Sequence, residues 1–223
     1  MTPHEVVKDS LEKFEKEYDF INDEDEYTLD KYDVESFIEH LKSSQLSLLL
    51  SVKEMVESKK KNNISFEEKK IKPAKIFDKL EQNPVFKNSY CVLFYWAMQD
   101  EVQTQDFILK YSEKKQIILP SVKEDILILK QFNGIDSLKT GEKYGIQEPD
   151  GDDFTDYDKI DLVIVPGIAF DKAKNRMGRG KAYYDALLPK LKAYKIAVCF
   201  DFQLIENVPI DEHDIKMDEI ITD

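Results

Sequence analysis

"DLVIVPGIAFDKAKNRMGRGKAYYDALL", Asp161 to Leu188, is the stretch on which the reading of this chain turns. It opens on four apolar residues, Leu162 to Val165, as a strand buried on both faces does. Pro166 and Gly167 then mark a turn, and a loop leads to Arg176–Lys181, where three cations and two glycines share six positions. "AYYDALLPKLKAY" follows as a largely helical segment. Strand, Pro-Gly turn, loop, cationic glycine turn and helix follow one another. Backbone amides from Gly178 to Lys181 ahead of a helix N-terminus make an anion site, because unpaired N–H groups and the helix dipole both favour negative charge. Arg176, Arg179 and Lys181 add full charges. Arginine grips phosphate through two donors and lysine acts as a point charge. Asp185, close behind, is a carboxylate of the kind that holds Mg²⁺ beside phosphates. The stretch is neither a P-loop nor a dinucleotide fingerprint. Taken alone, these residues leave a polyphosphate site and an exposed basic turn both open.

Working outward, the sequence alternates between strand-like and helix-like segments. "SFEEKKIKPAKIFDKLEQN" reads as a helix capped by Ser65 and Glu68, with Pro73 a weak point. "YCVLFYWA" reads as a doubly buried strand, "DFILKYSEKK" as helix, and "QIILP", "DILILKQF" and "KIAVCF" as strands. Such alternation predicts an α/β fold, a three-layer sandwich with a mainly parallel sheet flanked by helices on both faces. Ligands of such sheets collect at the carboxyl ends of the strands. All seven glycines lie between Gly134 and Gly180. Their confinement points to loops clustered around one place.

Composition narrows the class. The 223 residues carry a net charge of −13, which argues against a duplex nucleic-acid binder. Residues 1–45 hold five Lys and fourteen Asp or Glu, and are read as an acidic N-terminal extension of short helices beside a domain over residues 46–223. No internal repeat is visible. The longest near-apolar run, Cys91 to Met98, falls far short of a bilayer span, so no membrane partner is expected. The start lacks a secretory pattern, and the expected compartment is the cytoplasm. Cys91 and Cys199 sit in apolar runs and read as buried thiols.

"VPGIAFDKAKNRMGRGKAYYDALL" resembles the core motif of the 5-formyltetrahydrofolate cyclo-ligases. The resemblance extends over roughly residues 65–223 through "MQDEVQT", "IILP", "SLKTGEKYGIQEP" and "VPIDEHDIKMDEIIT". It implies an ATP- and Mg²⁺-dependent enzyme that cyclises 5-formyltetrahydrofolate, polyglutamylated or not, to the 5,10-methenyl form. Arg176, Met177, Gly178, Arg179, Gly180, Lys181, Ala182, Tyr183 and Tyr184 would line the nucleotide, with Arg179 and Lys181 the catalytic cations. Asp185 and Asp214 would hold the metal. Glu101, Trp96, Tyr144 and Tyr183 would receive the folate. Lys53, in "LLSVKEMVESKKK", stands where the family's N-terminal basic helix reaches the phosphates. Ala182 replaces the family's third glycine; a positive φ there would cost on the order of 1 kcal/mol or more, whereas a helix start there would favour alanine. Two other readings stand beside the enzyme: a non-catalytic folate- or nucleotide-binding member, and an interaction protein acting through residues 1–45.

Overall fold

The computed structural model describes residues 68–124, 126–141, 145–210 and 214–223. The acidic extension, the cap at Ser65, Lys53 and Tyr144 lie outside the described residues. Among them, α1 (Glu68–Gln82) continues through Pro73 without a break. Its Ile76 and Leu80 are fully buried. A short α2 (Pro84–Asn88) starts on Asn83, whose side chain accepts bonds from the Val85 and Phe86 amides, and Pro84 supplies a first-turn residue with no donor to lose. The chain then enters β1 (Cys91–Leu93), α3 (Gln105–Tyr111), β2 (Gln116–Lys123) and β3 (Ile126–Gln131). A small hairpin, β4 (Leu138–Thr140) and β5 (Gln147–Pro149), precedes β6 (Leu162–Val165). There follow β7 (Ala169–Asp171), β8 (Arg176–Met177), α4 (Tyr183–Leu187), β9 (Tyr194–Val198), β10 (Leu204–Ile205) and β11 (Glu219–Ile221).

Six strands form one sheet in the order β11-β9-β6-β1-β2-β3. Its pairings are parallel except that of β2 with β3. That exception has a local cause: a connection of two residues, turning on Glu124 at φ 55°, is too short for the crossover a parallel pair needs. Alternate residues supply the two apolar faces. Leu93, Val163, Val165 and Ala197 pack with Leu187, Leu188 and Leu191. Val92, Leu162, Ile164 and Ile196 are also fully buried. Beyond β1, Phe94 meets Phe107 of α3, which also stacks on Phe77 of α1 at 4.5 Å and packs against Phe86 of α2 at 5.3 Å. The result is an α/β fold on a mixed, mainly parallel sheet.

Three readings need correction. The apolar run after Tyr90 forms only three residues of strand before the chain leaves the ladder. The expected loop after Gly167 is instead the antiparallel pair β7–β8, part of a second sheet in the order β10-β7-β8. Asp171 shapes its turn by accepting from the Asn175 amide at 2.9 Å and side chain at 2.8 Å. The helix after the cationic turn is only five residues long. It tightens into a 3₁₀ turn, Leu188–Lys190, at Pro189, which cannot donate to the preceding turn.

The order of strands positions the site. From β1 the chain moves outward through β2 and β3, then returns to the other side of β1 with β6 and moves outward again through β9 and β11. The connections leaving β1 and β6 therefore depart in opposite directions, and the carboxyl ends of these two strands are where ligands of such sheets collect. Among the described residues, no helix is long and apolar enough to cross a membrane. Both cysteines are free and buried. Burial pushes the Cys91 thiol up to about 11 and that of Cys199 to about 12.

Candidate active site

The loop leaving β1, Phe94 to Thr104, is held by polar side chains. The Thr104 hydroxyl donates to the Tyr95 carbonyl at 2.6 Å, and the Tyr95 hydroxyl to the Val102 carbonyl at 3.0 Å. Gln105 donates to the Ala97 carbonyl at 2.8 Å, while Gln103 reaches the carbonyls of Met98 and Glu101 at 2.6 and 2.9 Å. A tight turn closes where the Glu101 amide bonds the Met98 carbonyl at 3.1 Å. In return, the Met98 amide donates to the Glu101 carboxylate at 3.0 Å. Burial raises the Glu101 pKa, against the opposing pull of the Met98 amide and the Arg179 charge. Trp96 is half-buried, its ring 5.9 Å from that of Phe132.

The loop leaving β6 is shaped by volume. A methyl on Gly167 would stand 2.5 Å from the Phe170 ring and 3.2 Å from Arg176 Cγ; one on Gly178 would stand 2.8 Å from Arg176 Nη1. Both glycines thus leave room for neighbours. Gln203 donates to the carbonyls of Gly167 and Ile168 at 2.8 and 3.0 Å. The Arg176 side chain is 5% exposed and pairs with Asp185, itself 32% exposed. It also lies 5.7 Å from the centre of the Tyr184 ring. Next to this pair the Tyr184 hydroxyl is buried without a hydrogen-bond partner among the described residues. Burial, with the Glu101 charge behind it, holds that phenol neutral far above its ordinary range.

Arg179 joins the two loops. Its Nη2 lies 2.7 Å from Asp100 Oδ2, and its Nε lies 3.5 Å from Glu101 Oε1. The fold therefore brings Glu101, Arg176, Arg179, Tyr184 and Asp185 into one neighbourhood. Lys181 is exposed on the same turn, with Gly180 at φ +87° beside it. Met177 is buried in β8, its carbonyl accepting from the Ile168 amide at 2.8 Å. Tyr183 is half-buried in the first turn of α4, and Asp214 is half-buried ahead of β11. Ala182 adopts the left-handed conformation, φ 53° and ψ 14°. Since α4 spans a turn and a half, its dipole is too short to make an anion site by itself. Reading the sequence did not single out Asp100 or Gln203, and took Gly167 only as a turn residue. Asp100 lay inside the quoted "MQDEVQT", but nothing local tells that it meets an arginine 79 positions away.

Asp185 is a carboxylate of the type that meets Mg²⁺, and Arg176 already pairs with it. That ion takes one or two carboxylates and completes its shell with water and phosphate oxygens. A resident metal site would need more: among the described residues, no three His, Cys, Asp or Glu side chains gather as one.

A model of the 5-formyltetrahydrofolate cyclo-ligase family matches residues 51–223, most of the chain. The chain belongs to this family. It is 32% identical over 152 residues to the 5-formyltetrahydrofolate cyclo-ligase of Mus musculus, covering 61% of this chain and 74% of that one. A probable 5-formyltetrahydrofolate cyclo-ligase of Schizosaccharomyces pombe is 33% identical, with 62% and 78% covered. Among solved structures, the Aquifex aeolicus 5,10-methenyltetrahydrofolate synthetase superposes with a TM-score of 0.70 at 33% identity, over 78% of this chain and 89% of that one.

Proposed function

We propose that this member of the family is an ATP-dependent 5-formyltetrahydrofolate cyclo-ligase, making 5,10-methenyltetrahydrofolate, ADP and phosphate. The observation that carries this reading is the approach of Arg179 to Glu101 at 3.5 Å. It joins the turn assigned to the nucleotide with the glutamate assigned to the folate. Phosphoryl transfer between two substrates requires that closeness.

A formamide oxygen is a poor leaving group. The γ-phosphoryl group passes from ATP to the formyl oxygen, breaking its bond to the β-phosphate oxygen. N10 then attacks the formyl carbon, the C–O bond breaks, phosphate departs with the former formyl oxygen, and N10 loses its proton. Arg179 and Lys181 neutralise the charge that spreads over the transferring phosphoryl group. Gly178, Gly180 and Ala182 let the backbone approach the phosphates, and Met177 fixes the start of that turn. Arg176, being buried against Asp185, acts by holding that carboxylate in place. The Tyr184 hydroxyl offers a buried donor to a ligand. Asp185, with Asp214, would hold Mg²⁺, which would supply charge neutralisation at the phosphates. Trp96 and Tyr183 form the pterin walls. The layers are read as a three-layer sandwich, with the site at the carboxyl edge of the middle one.

The test is direct. Purified protein incubated with 5-formyltetrahydrofolate, ATP and Mg²⁺ develops the near-ultraviolet absorbance of the methenyl product. Absence of product above a protein-free control refutes the reading.

A further inference from the structure

Arg179 is held from two sides by consecutive residues of the loop after β1. Nη2 meets Asp100 at 2.7 Å, a full charge-assisted bond, whereas Nε is 3.5 Å from Glu101, too long to fix a planar group by itself. A guanidinium on a flexible stem keeps one orientation when two separate donors are engaged. The platform beneath is firm. Asp100 lies within the turn closed by the Glu101 amide on Met98, and Gln103 ties down the carbonyls on either side. The Arg179 side chain is still 39% exposed, so donors remain for an incoming anion.

We propose that Asp100 is a positioning residue for the cyclisation, holding Arg179 in the plane that lets it face Glu101 and the transferring phosphoryl group together. This rests on the functional reading above and adds a residue to it. Asp100 touches neither substrate; it acts through Arg179. An exposed pair of this kind contributes little to folding, so its value lies in orientation. The competing possibility is a latch, in which Asp100 occupies Arg179 until nucleotide displaces it. The two differ in sign, because removing a latch tightens nucleotide binding.

The experiment is a double-mutant cycle of wild type, Asp100→Asn, Arg179→Ala and the double variant, with Asp100→Glu as the conservative control. Each is assayed for kcat/KM toward 5-formyltetrahydrofolate at saturating MgATP, with Tm recorded for each. Asp100→Asn is expected to lower kcat/KM by roughly five- to tenfold at unchanged Tm, a coupling normal for contacting charged groups. In the Arg179→Ala background the same change should lower it by less than about twofold, and Asp100→Glu should recover most of the loss. An equal loss in both backgrounds, or tighter MgATP binding by Asp100→Asn, overturns the proposal. Should the wild type fail to turn over, the functional reading falls separately. The same cycle read on MgATP affinity then decides the positioning role: a loss confined to proteins containing Arg179 supports it, and an equal loss refutes it.

Discussion

The segments that leave the carboxyl ends of β1 and β6 are built by different means. Between Phe94 and Thr104 there is no glycine, and Thr104, Gln103 and Gln105 hold the backbone by bonds to its carbonyls. Between Pro166 and Ala182 there are three glycines. Two of them matter because any side chain would collide with Phe170 or Arg176. The first is held by side-chain bonds to its carbonyls, the second by the β7–β8 pairing and Gln203, with glycines leaving room for Phe170 and Arg176. Arg179 fastens the second to the first. The difference teaches where each loop is vulnerable: the glycine loop fails when atoms are added, and the polar loop fails when donors are removed.

The largest effect is expected at Gly167. Its added methyl in Gly167→Ala meets a buried ring that has no room to yield, and overpacking of this kind costs about 2 kcal/mol. Thermal or urea denaturation checks it; an unchanged midpoint would show that volume does not shape this loop. Next come Lys181→Ala and Asp185→Asn. Each should lower turnover at least tenfold, about 1.4 kcal/mol of transition-state stabilisation. Wild-type kinetics in both would detach the cationic turn from the chemistry. The smallest effect is a gain. Ala182 bears a side chain at φ 53°, so Ala182→Gly should stabilise the fold by about 0.5–1 kcal/mol, relief of strain exceeding the added chain entropy. A loss of stability there would mean that the methyl packs usefully.

Much of the fold was legible because apolar runs such as "LVIV" and "KIAVCF" overlap the strands Leu162–Val165 and Tyr194–Val198. The run "YCVLFYWA" misled as to length. Apolarity reports burial, and Phe94 and Tyr95 are buried while side chains rather than a ladder satisfy the carbonyls of Tyr95 and Ala97. The β7–β8 hairpin stayed hidden because its turn has no glycine. It is made by Asp171 and by Lys174 at φ 67°. In the site, the clustering of cations and glycines was visible, but their pairing was not. Arg179 crossing to Asp100 is a consequence of strand order, which brings β6 beside β1, while Arg176 turns inward to Asp185 within its own segment. Charge in a sequence shows that a partner is needed, and only the fold shows which.

In the proposed reaction the γ-phosphoryl group of ATP passes to the formyl oxygen. The most direct measurement uses 5-formyltetrahydrofolate labelled with ¹⁸O in its formyl group, with ATP and Mg²⁺, and mass analysis of the phosphate released. Each phosphate formed with the methenyl product is expected to carry the label. Unlabelled phosphate, or labelled water in its place, would contradict it.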